Sequence, residues 1–468
     1  MKILLAVHHF PPNFTAGAEL QALRTARQLQ AQGHGVRVLC VEDPFCPSAQ
    51  RAQYIDDAFE GIQVRRLFYN LKAAPAQWSW EHDNPWIGEQ LESLINEYRP
   101  DVLNIIGGYL LTGRCMCVAS SLGLPAVLTL TDYWFLCPRI QMVRSDGTLC
   151  ERMPEAHVCA QCLGETRRRY RIGGRLFPGL MRLYWNRNSD ALHKIEKRRS
   201  FLLEALRHAN PIISPSHTLR DIYVDAGLEA EKIVLVRQGR DFPYLRPIDL
   251  QKVPSTCLRI GYIGQVAWHK GVHVLLDAVR LLPDARLSVR VYGDPSQFPR
   301  YVAELKRHFQ IDKRLEMKGR FQKDELSRVL KEVDIVVVPS IWHENSPNVI
   351  LEAFAHKTPV IASDVGGMAE LVDHGVNGLL FRMGDPQDLA RQIDRIMDDP
   401  GLLRRLQEGV PEVKSMEDEV REMVAVFSRI ISLSERESSI RDRAEELNAQ
   451  VDVYQDDGSG GKVDPCRD

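Results

Sequence analysis

Short apolar strands alternate with amphipathic helices along most of this chain, and this alternation limits its fold more than any other feature. The first unit has a strand at Ile3–Val7, a helix at Glu19–Gln32 and a second strand at Val36–Val41. Apolar residues in the helix recur at three- and four-residue spacing, whereas each strand is a continuous apolar run. Strands that alternate with helices in this way predict parallel sheets covered by helices on both faces.

The alternation forms two series. The other strands of the first series are predicted at Val64–Leu67, Val102–Ile106, Ala126–Leu130 and Pro211–Ser214. The strands of the second series are predicted at Leu258–Ile263, Leu287–Tyr292, Asp334–Pro339, Val360–Ala362 and Gly378–Phe381. Because 468 residues exceed one ordinary core, we expect two Rossmann-like α/β domains, at residues 1–245 and 255–400. The link 241–254 contains three prolines and predicts the hinge.

Two regions depart from this alternation. Residues 137 to about 200 are rich in cysteine, arginine and aromatic side chains, which predicts an insertion in the first domain. Residues 401–434 predict C-terminal helices. Residues 435–468 have too little apolar content for a core and predict a polar, flexible tail.

Charge and hydropathy exclude several classes of protein. A net charge of -2 gives the whole chain no attraction to nucleic acid, so we expect no nucleic-acid partner. No stretch approaches the roughly 20 apolar residues that span a bilayer. The first residues, MKILLAV, are too short an apolar run for a secretory signal. We therefore expect a cytoplasmic protein.

The strongest functional pattern lies at residues 339–381. Glu344 follows a predicted strand, Ser346 is placed to cap the next helix, and Pro347 suits the first helical position. The free amides and positive dipole at the start of such a helix favour a diphosphate. Glu352 falls in the second helical turn, where its carboxylate can accept two hydrogen bonds from a ribose diol, and Glu344 could hold donor-sugar hydroxyls.

A second turn adds to this pattern. Gly366 and Gly367 follow the next predicted strand, and glycine lets backbone amides approach an anion closely. Either glutamate alone is better explained by an ordinary solvated side chain. The coincidence of strand, cap, paired carboxylates and glycine turn favours a ligand site.

These residues resemble the signature of the retaining GT-B glycosyltransferases of family four. The resemblance rests on Glu344, Pro347, Glu352 with Ala353, Pro359 with Val360, and the glycine turn. It extends to Phe10-Pro11-Pro12, Gly17-Ala18-Glu19, Ser214-Pro215-Ser216, Gly264-Gln265 and His269-Lys270-Gly271. It covers most of residues 1–400. It implies two Rossmann-like domains that face each other across a cleft and use a nucleotide-diphosphate sugar without a catalytic metal.

The resemblance also implies roles for single residues. The implied donor-binding set is Gly17, Gln265, Lys270, Glu344, Asn348, Val349, Glu352, Gly366 and Gly367. The implied catalytic set is Lys270 beside the diphosphate, Glu344 on the donor sugar, and Asp132 orienting an acceptor hydroxyl. Helix capping explains Asp132 equally well.

Two positions depart from the family pattern. The family usually has arginine where this chain has Gln265, and often histidine where it has Thr131. Glutamine adds no charge to the diphosphate clamp, so Arg237, Arg240 or His269 could compensate.

The sequence thus predicts a retaining glycosyltransferase that acts on a saccharide or lipid-linked acceptor, in cell-surface polysaccharide or glycolipid assembly. A nicotinamide oxidoreductase is disfavoured because G-x-G-x-x-G is missing after the first strand. The departures at Gln265 and Thr131 leave one alternative, a non-catalytic sugar-nucleotide-binding protein or partner subunit.

The predicted insertion has two further features. Cys137, Cys150, Cys159 and Cys162 suit a structural zinc ion, with a disulfide, a redox role or unliganded buried thiols as the alternatives. Arg167 to Arg199 holds eleven Lys and Arg against Asp190 and Glu196, with aromatic residues between them. This run is either a solvated helical face or a peripheral contact with an anionic membrane at its inner surface.

Overall fold

Two α/β domains, each built on its own sheet, make up the computed structural model of the protein, which describes residues 1–49, 51–242 and 252–456. The first sheet contains β1 (Lys2–Val7), β2 (Gly35–Asp43), β3 (Gln53–Phe59), β4 (Ile62–Phe68), β5 (Val102–Ile106), β6 (Ala126–Thr129), β7 (Ile212–Ser214) and β8 (Ile233–Leu235). The second sheet contains β9 (Leu258–Ile263), β10 (Leu287–Tyr292), β11 (Leu315–Gly319), β12 (Ile335–Val338), β13 (Val360–Ser363) and β14 (Gly378–Phe381).

Helices cover both faces of each sheet. Those that follow strands of the first sheet are α1 (Gly17–Ala31), α2 (Gln77–Trp80), α3 (Pro85–Tyr98), α4 (Arg114–Ser121), α5 (Ala156–Gly164), α6 (Arg168–Leu176), α7 (Pro178–Arg187), α8 (Ser189–Arg207) and α9 (His217–Asp225). The others are α10 (Val272–Arg280), α11 (Pro299–Ile311), α12 (Leu326–Lys331), α13 (Asn348–Ala355), α14 (Gly366–Leu371), α15 (Pro386–Asp398), α16 (Leu402–Glu408) and α17 (Met416–Asp456). Short 3-10 turns cover Leu71–Ala73, Ala230–Lys232, Trp268–Lys270 and Lys323–Glu325.

The strand order confirms the predicted pair of Rossmann-like sheets. The first sheet runs β3-β4-β2-β1-β5-β6-β7-β8 and the second β11-β10-β9-β12-β13-β14. The strand order reverses between β1 and β5 and between β9 and β12. The loops that leave these strands therefore diverge at a crevice at the carboxyl edge of each sheet, which is where open α/β sheets bind ligands.

One strand departs from the parallel arrangement. β3 pairs antiparallel with β4 through a turn at Glu60 and Gly61, both of which have positive φ. Such a backbone suits the tight turn of a β-hairpin. Because β3 lies at the sheet edge with its side chains largely exposed, it lacks the apolar pattern that marks the inner strands.

The last helix returns to the first domain. Met416, Val420, Met423 and Phe427 of α17 pack in the core beneath β1, so the chain crosses between the domains twice. The two crossings lie side by side, with Arg240 N bonded to the carbonyl of Lys414 at 2.8 Å. Most of the predicted hinge, residues 243–251, lies outside the described residues.

The end of the chain differs from the prediction. α17 continues to Asp456, past residue 435, where the sequence predicts the start of a polar tail. Residues 457–468 lie outside the described residues. Within the described part of the chain, no helix combines the length and apolar character needed to cross a membrane.

Candidate active site

The loops after β9 and β12 bring Lys270 and Glu344 together at the crevice of the second sheet. Lys270 Nζ donates a hydrogen bond to Glu344 Oε1 at 2.5 Å. Ser340 Oγ and Trp342 Nε1 donate to the same oxygen, at 2.8 and 2.9 Å. The Lys270 ammonium also lies 5.3 Å from the Trp342 ring centroid. The predicted lysine and glutamate therefore form one fixed ion pair.

The charge of Lys270 affects the pKa of both Glu344 and His269. Burial raises the pKa of Glu344, but the charge of Lys270 and the three hydrogen bonds outweigh it, so the pKa lies below its ordinary value. Glu344 is therefore anionic at neutral pH. Burial and the charge of Lys270 lower the pKa of His269 to about 4. His269 is then neutral and cannot supply the charge that Gln265 lacks.

Helix α13 begins one residue later than predicted. Pro347 occupies the capping position with an extended backbone, and Ser346 makes no side-chain capping bond. The prediction of Ser346 as the N-cap is therefore wrong, because the proline's own conformation ends the loop. Asn348 and Val349 are consequently the first two residues of the helix.

The amino ends of α1 and α13 face each other across the two domains. A Cβ atom added to Gly17 would lie 3.7 Å from Asn348 Nδ2. The carbonyl oxygen of the Asn348 side chain accepts a hydrogen bond from Arg240 Nη2. Two helix N-termini thus converge on one space, where their unpaired amides favour an anion.

The Gly366-Gly367 turn supports the loop that carries Glu344. Gly366 has a φ of 62°, and a Cβ atom there would lie 2.9 Å from the Glu344 carbonyl oxygen. The Gly367 amide donates to that carbonyl at 2.6 Å. Glycine is therefore required for the close approach of two loops. Donor binding by this pair stays a prediction, and one of its amides is already used by the protein.

Two adjoining cavities lie between the domains. The smaller, of about 150 Å³, is lined in part by Gly17, Thr131 and Glu344. The larger, of about 570 Å³, is lined in part by Glu352. Arg240 lines both cavities. Of the predicted donor-binding residues, Gly17, Glu344 and Asn348 line the smaller cavity and Glu352 lines the larger one. The others line neither cavity, and they are Gln265, Lys270, Val349, Gly366 and Gly367.

Asp132 lies at the end of β6 in a turn. Burial raises its pKa. Its Oδ1 accepts from the Trp134 amide at 2.8 Å and its Oδ2 from Thr131 Oγ1 at 3.2 Å. This is a turn and not the helix cap that the sequence left open, because the next helix, α5, begins only at Ala156. The role of Asp132 in orienting an acceptor hydroxyl stays a prediction. Thr131 also contacts the second domain, because its carbonyl accepts a hydrogen bond from Asn345 Nδ2.

Arg237, one candidate for the missing arginine charge, takes part in a contact with Glu370. Its Nη2 lies 3.3 Å from Glu370 Oε2, so its charge is already paired. Glu370 also accepts the amides of His217 at 2.9 Å and Thr218 at 2.6 Å. Gln265 itself is exposed, and its carbonyl accepts from Tyr262 Oη at 2.5 Å.

Sequence reasoning missed a buried network around Arg240. Arg240 Nη1 donates to the Gln21 side chain, whose amide donates to Glu419 Oε1 of α17 at 2.8 Å. Glu419 also accepts from the Gly239 amide at 2.7 Å. Sequence spacing does not predict this network. The network forms because α17 returns to the first domain.

The four insertion cysteines lie together. They line one cavity of about 20 Å³, and they are Cys137, Cys150, Cys159 and Cys162. Arg199 Nη2 and Arg139 Nη1 donate to the sulfurs of Cys159 and Cys162, at 3.1 and 3.4 Å. In the described part of the chain every cysteine is a free thiol, and no three metal-ligating side chains are arranged to hold an ion. The zinc ion stays a prediction.

Two family models match the two domains in turn. Residues 15–242 match Glycosyltransferase Family 4, and residues 257–399 match Glycosyl transferases group 1. A D-inositol 3-phosphate glycosyltransferase of Corynebacterium urealyticum is 28% identical, over 50% of this chain and 57% of the relative. A glycogen synthase of Mycobacterium tuberculosis is 26% identical, over 43% of this chain and 48% of the relative. The chain spans about half the length of the curated relatives it matches.

Solved structures share the whole two-domain fold. A glycosyltransferase from Rickettsia africae aligns with a TM-score of 0.61 at 17% identity, covering 92% of this chain and 98% of that one. Anabaena HepE in complex with UDP and glucose aligns with a TM-score of 0.59 at 20% identity, covering 92% and 99%. The sheet order, the consecutive family matches and this shared architecture agree: the chain is of the family-four glycosyltransferase type and has the GT-B fold.

Proposed function

We propose that this enzyme is a retaining glycosyltransferase that moves a sugar from a nucleotide-diphosphate donor to a saccharide or lipid-linked acceptor. The reaction would serve cell-surface polysaccharide or glycolipid assembly. The observation that carries the proposal is the Lys270–Glu344 pair, at the crevice of the second sheet. The converging amino ends of α1 and α13 lie next to it.

Leaving-group stabilisation is the main demand of this chemistry. As the anomeric bond breaks, negative charge grows on the diphosphate and positive charge on the sugar. The Lys270 side chain is 25% exposed, so its ammonium can reach a phosphate while it remains paired with Glu344. That cation and the helix amides would stabilise the transition state more than the bound donor.

The two glutamates would hold different parts of the donor. Glu344 is anionic and fixed by three donors to one oxygen, so it suits hydrogen bonds to the sugar hydroxyls. Glu352 lines the cavity of about 570 Å³, a volume within the usual range for a small-molecule site. We place the nucleoside there, with its ribose diol on Glu352.

Retention of configuration needs no side-chain nucleophile in this scheme. The bond from the anomeric carbon to the phosphate oxygen breaks, and a bond from the same carbon to the acceptor oxygen forms on the same face. The acceptor proton passes to the departing phosphate oxygen. Asp132 is held by the Trp134 amide, which would let it orient the acceptor hydroxyl.

Donor binding is the first test. We expect one of the UDP-, GDP- or ADP-sugars to stabilise the protein selectively, by about 2.7 kcal/mol at about 100 times its Kd. Glu352→Ala should reduce this stabilisation, whereas Glu408→Ala, at an exposed glutamate of α16, should preserve it. Unchanged binding in Glu352→Ala would refute the ribose assignment.

Turnover is the second test. Lys270→Ala should preserve most of the donor-dependent stabilisation but lower kcat by about 10²-fold or more, since the lost charge acts mainly in the transition state. Donor binding by the wild-type protein without transfer or donor hydrolysis would instead support a sugar-nucleotide-binding subunit.

A further inference from the structure

Helices α6 and α7 form a hairpin that exposes a continuous set of large apolar side chains. Their exposed fractions range from 43% to 65%. They are Ile172, Leu176, Phe177, Leu180, Leu183 and Tyr184. Elsewhere in the described chain, large exposed apolar residues occur singly or in adjacent pairs. A concentration of this kind marks a contact surface.

The hairpin is already anchored on its other side. Trp185 packs in a small core with Ala160 of α5 and Ile195 of α8, and Tyr170 and Met181 pack against that cluster. Tyr184 contacts the rings of Tyr170 and Trp185 in this cluster. The other five outward apolar residues form a second face, which remains after the inner face has been buried.

The same hairpin carries a strong positive charge. Residues 166–189 contain seven arginines and no aspartate or glutamate. All seven arginines are exposed, and within the described residues none of them pairs with a carboxylate. Glu165, the acidic residue just before this stretch, accepts hydrogen bonds from Ser145 and Gln161 at 2.5 and 2.8 Å. The hairpin is thus basic in a chain whose net charge is -2.

We propose that the α6–α7 hairpin docks the first domain on an anionic lipid surface. Leu176, Phe177 and Leu180, at the turn of the hairpin, have the highest exposure of the set and would enter the headgroup boundary. The arginines beside them would pair with lipid phosphates. A second copy of the chain fits less well, because it would place one group of arginines against another.

Vesicle flotation of the full chain tests this docking surface. Wild type should float with phosphatidylcholine vesicles that contain phosphatidylglycerol, and not with phosphatidylcholine alone. Binding should fall as salt rises, since exposed charges are screened. Arg168→Glu with Arg175→Glu should weaken binding at least about tenfold. Phe177→Glu with Leu180→Glu should abolish it.

A matched control tests whether the loss of flotation is specific to the α6–α7 hairpin or follows from any exposed glutamate substitution. Ile311, which is 67% exposed on α11 of the second domain, should tolerate Ile311→Glu with wild-type flotation. Transfer to a soluble acceptor should be unchanged in every variant, which shows that each one folds. No flotation of wild type at low salt, or equal loss in Ile311→Glu, would overturn the proposal. The proposal would also be overturned if wild type bound no lipid but formed a dimer or a nucleic-acid complex that Phe177→Glu disrupts.

Discussion

Among the single side chains, Glu344 gives the clearest link between protonation and the stability of the folded protein. Its pKa in the folded protein lies below the ordinary 4.5 because, although burial opposes ionisation, Lys270, Ser340 and Trp342 favour it more. A carboxyl group whose pKa is lower in the folded protein than in the unfolded chain stabilises the folded state. This contribution is complete above the pKa of the unfolded chain and is lost as pH falls through the pKa of the folded protein.

Glu344→Gln should therefore flatten the acid side of the stability curve. At neutral pH we expect the variant to lose about 2 kcal/mol, since Lys270 loses its buried partner. Thermal melts from neutral pH to below 4.5 should show Tm falling less steeply in the variant than in wild type. Parallel curves would show that this ion pair does not govern acid stability.

A second prediction at the residue scale concerns the uncharged Gln265. His269 is neutral, with a pKa of about 4, and Arg237 is paired with Glu370. Gln265→Arg should add a cation beside the proposed diphosphate and raise kcat/KM by about tenfold. Gln265→Leu, which adds no charge, is the control for side-chain size. An unchanged rate in Gln265→Arg would indicate that another cation, such as Arg240, already serves the leaving group.

Side-chain contacts could be predicted from sequence only where strand ends determine them. Lys270 and Glu344 follow two strands that are neighbours at the point of reversal, so a Rossmann-like pattern is enough to bring them together. The contact of Gln21 with Glu419 at 2.8 Å depends on where α17 packs. No local spacing contains that information.

At the scale of elements, buried apolar strands were predicted well and exposed edge strands were missed. The inner strands β5, β9 and β10 have the predicted bounds, and so does β14, an edge strand whose side chains are mostly buried. β3 and β11 are edge strands of their sheets, and β3 has largely exposed side chains. The period of apolar residues does not mark strands of this kind.

The cysteine cluster of the insertion yields a prediction about metal. Arg139 and Arg199 donate to two of the four sulfurs, and guanidinium groups there would offset the charge of thiolates around zinc. No three of these side chains are arranged to hold an ion within the described residues, so zinc binding requires the thiols to rearrange. If the cluster binds zinc, metal analysis should find about one ion per chain and a strong chelator should lower Tm. Cys159→Ser should lose the metal. Cys257→Ser, at a cysteine outside the cluster, should retain it. Metal-free protein with unchanged Tm and activity would contradict the zinc site.

For the whole molecule, the relation between the domains rests on contacts across the cleft. The insertion reaches the second domain, since a Cβ atom on Gly147 would lie 2.7 Å from Trp268 Cη2. The Asn345 side chain bonds the carbonyl of Thr131. The sequence predicted two domains that face each other but gave no sign of these bridging pairs, because each joins residues more than a hundred positions apart.

The last prediction concerns Glu370, whose carboxylate joins α14 to the start of α9. It accepts two backbone amides and pairs with Arg237. These interactions hold its pKa below the ordinary value although burial opposes this. They therefore favour the observed arrangement at neutral pH, in which the domains are in contact and which we call closed. Glu370→Ala should shift the free enzyme toward an open arrangement, with a larger radius of gyration by X-ray scattering. Apparent donor affinity should fall in proportion to the closed fraction, whereas kcat at saturating donor should be nearly unchanged. Glu408→Ala should alter neither quantity. If Glu370→Ala lowered kcat with no change in radius or affinity, Glu370 would act on the reaction itself, and closure would have to rest on the other contacts.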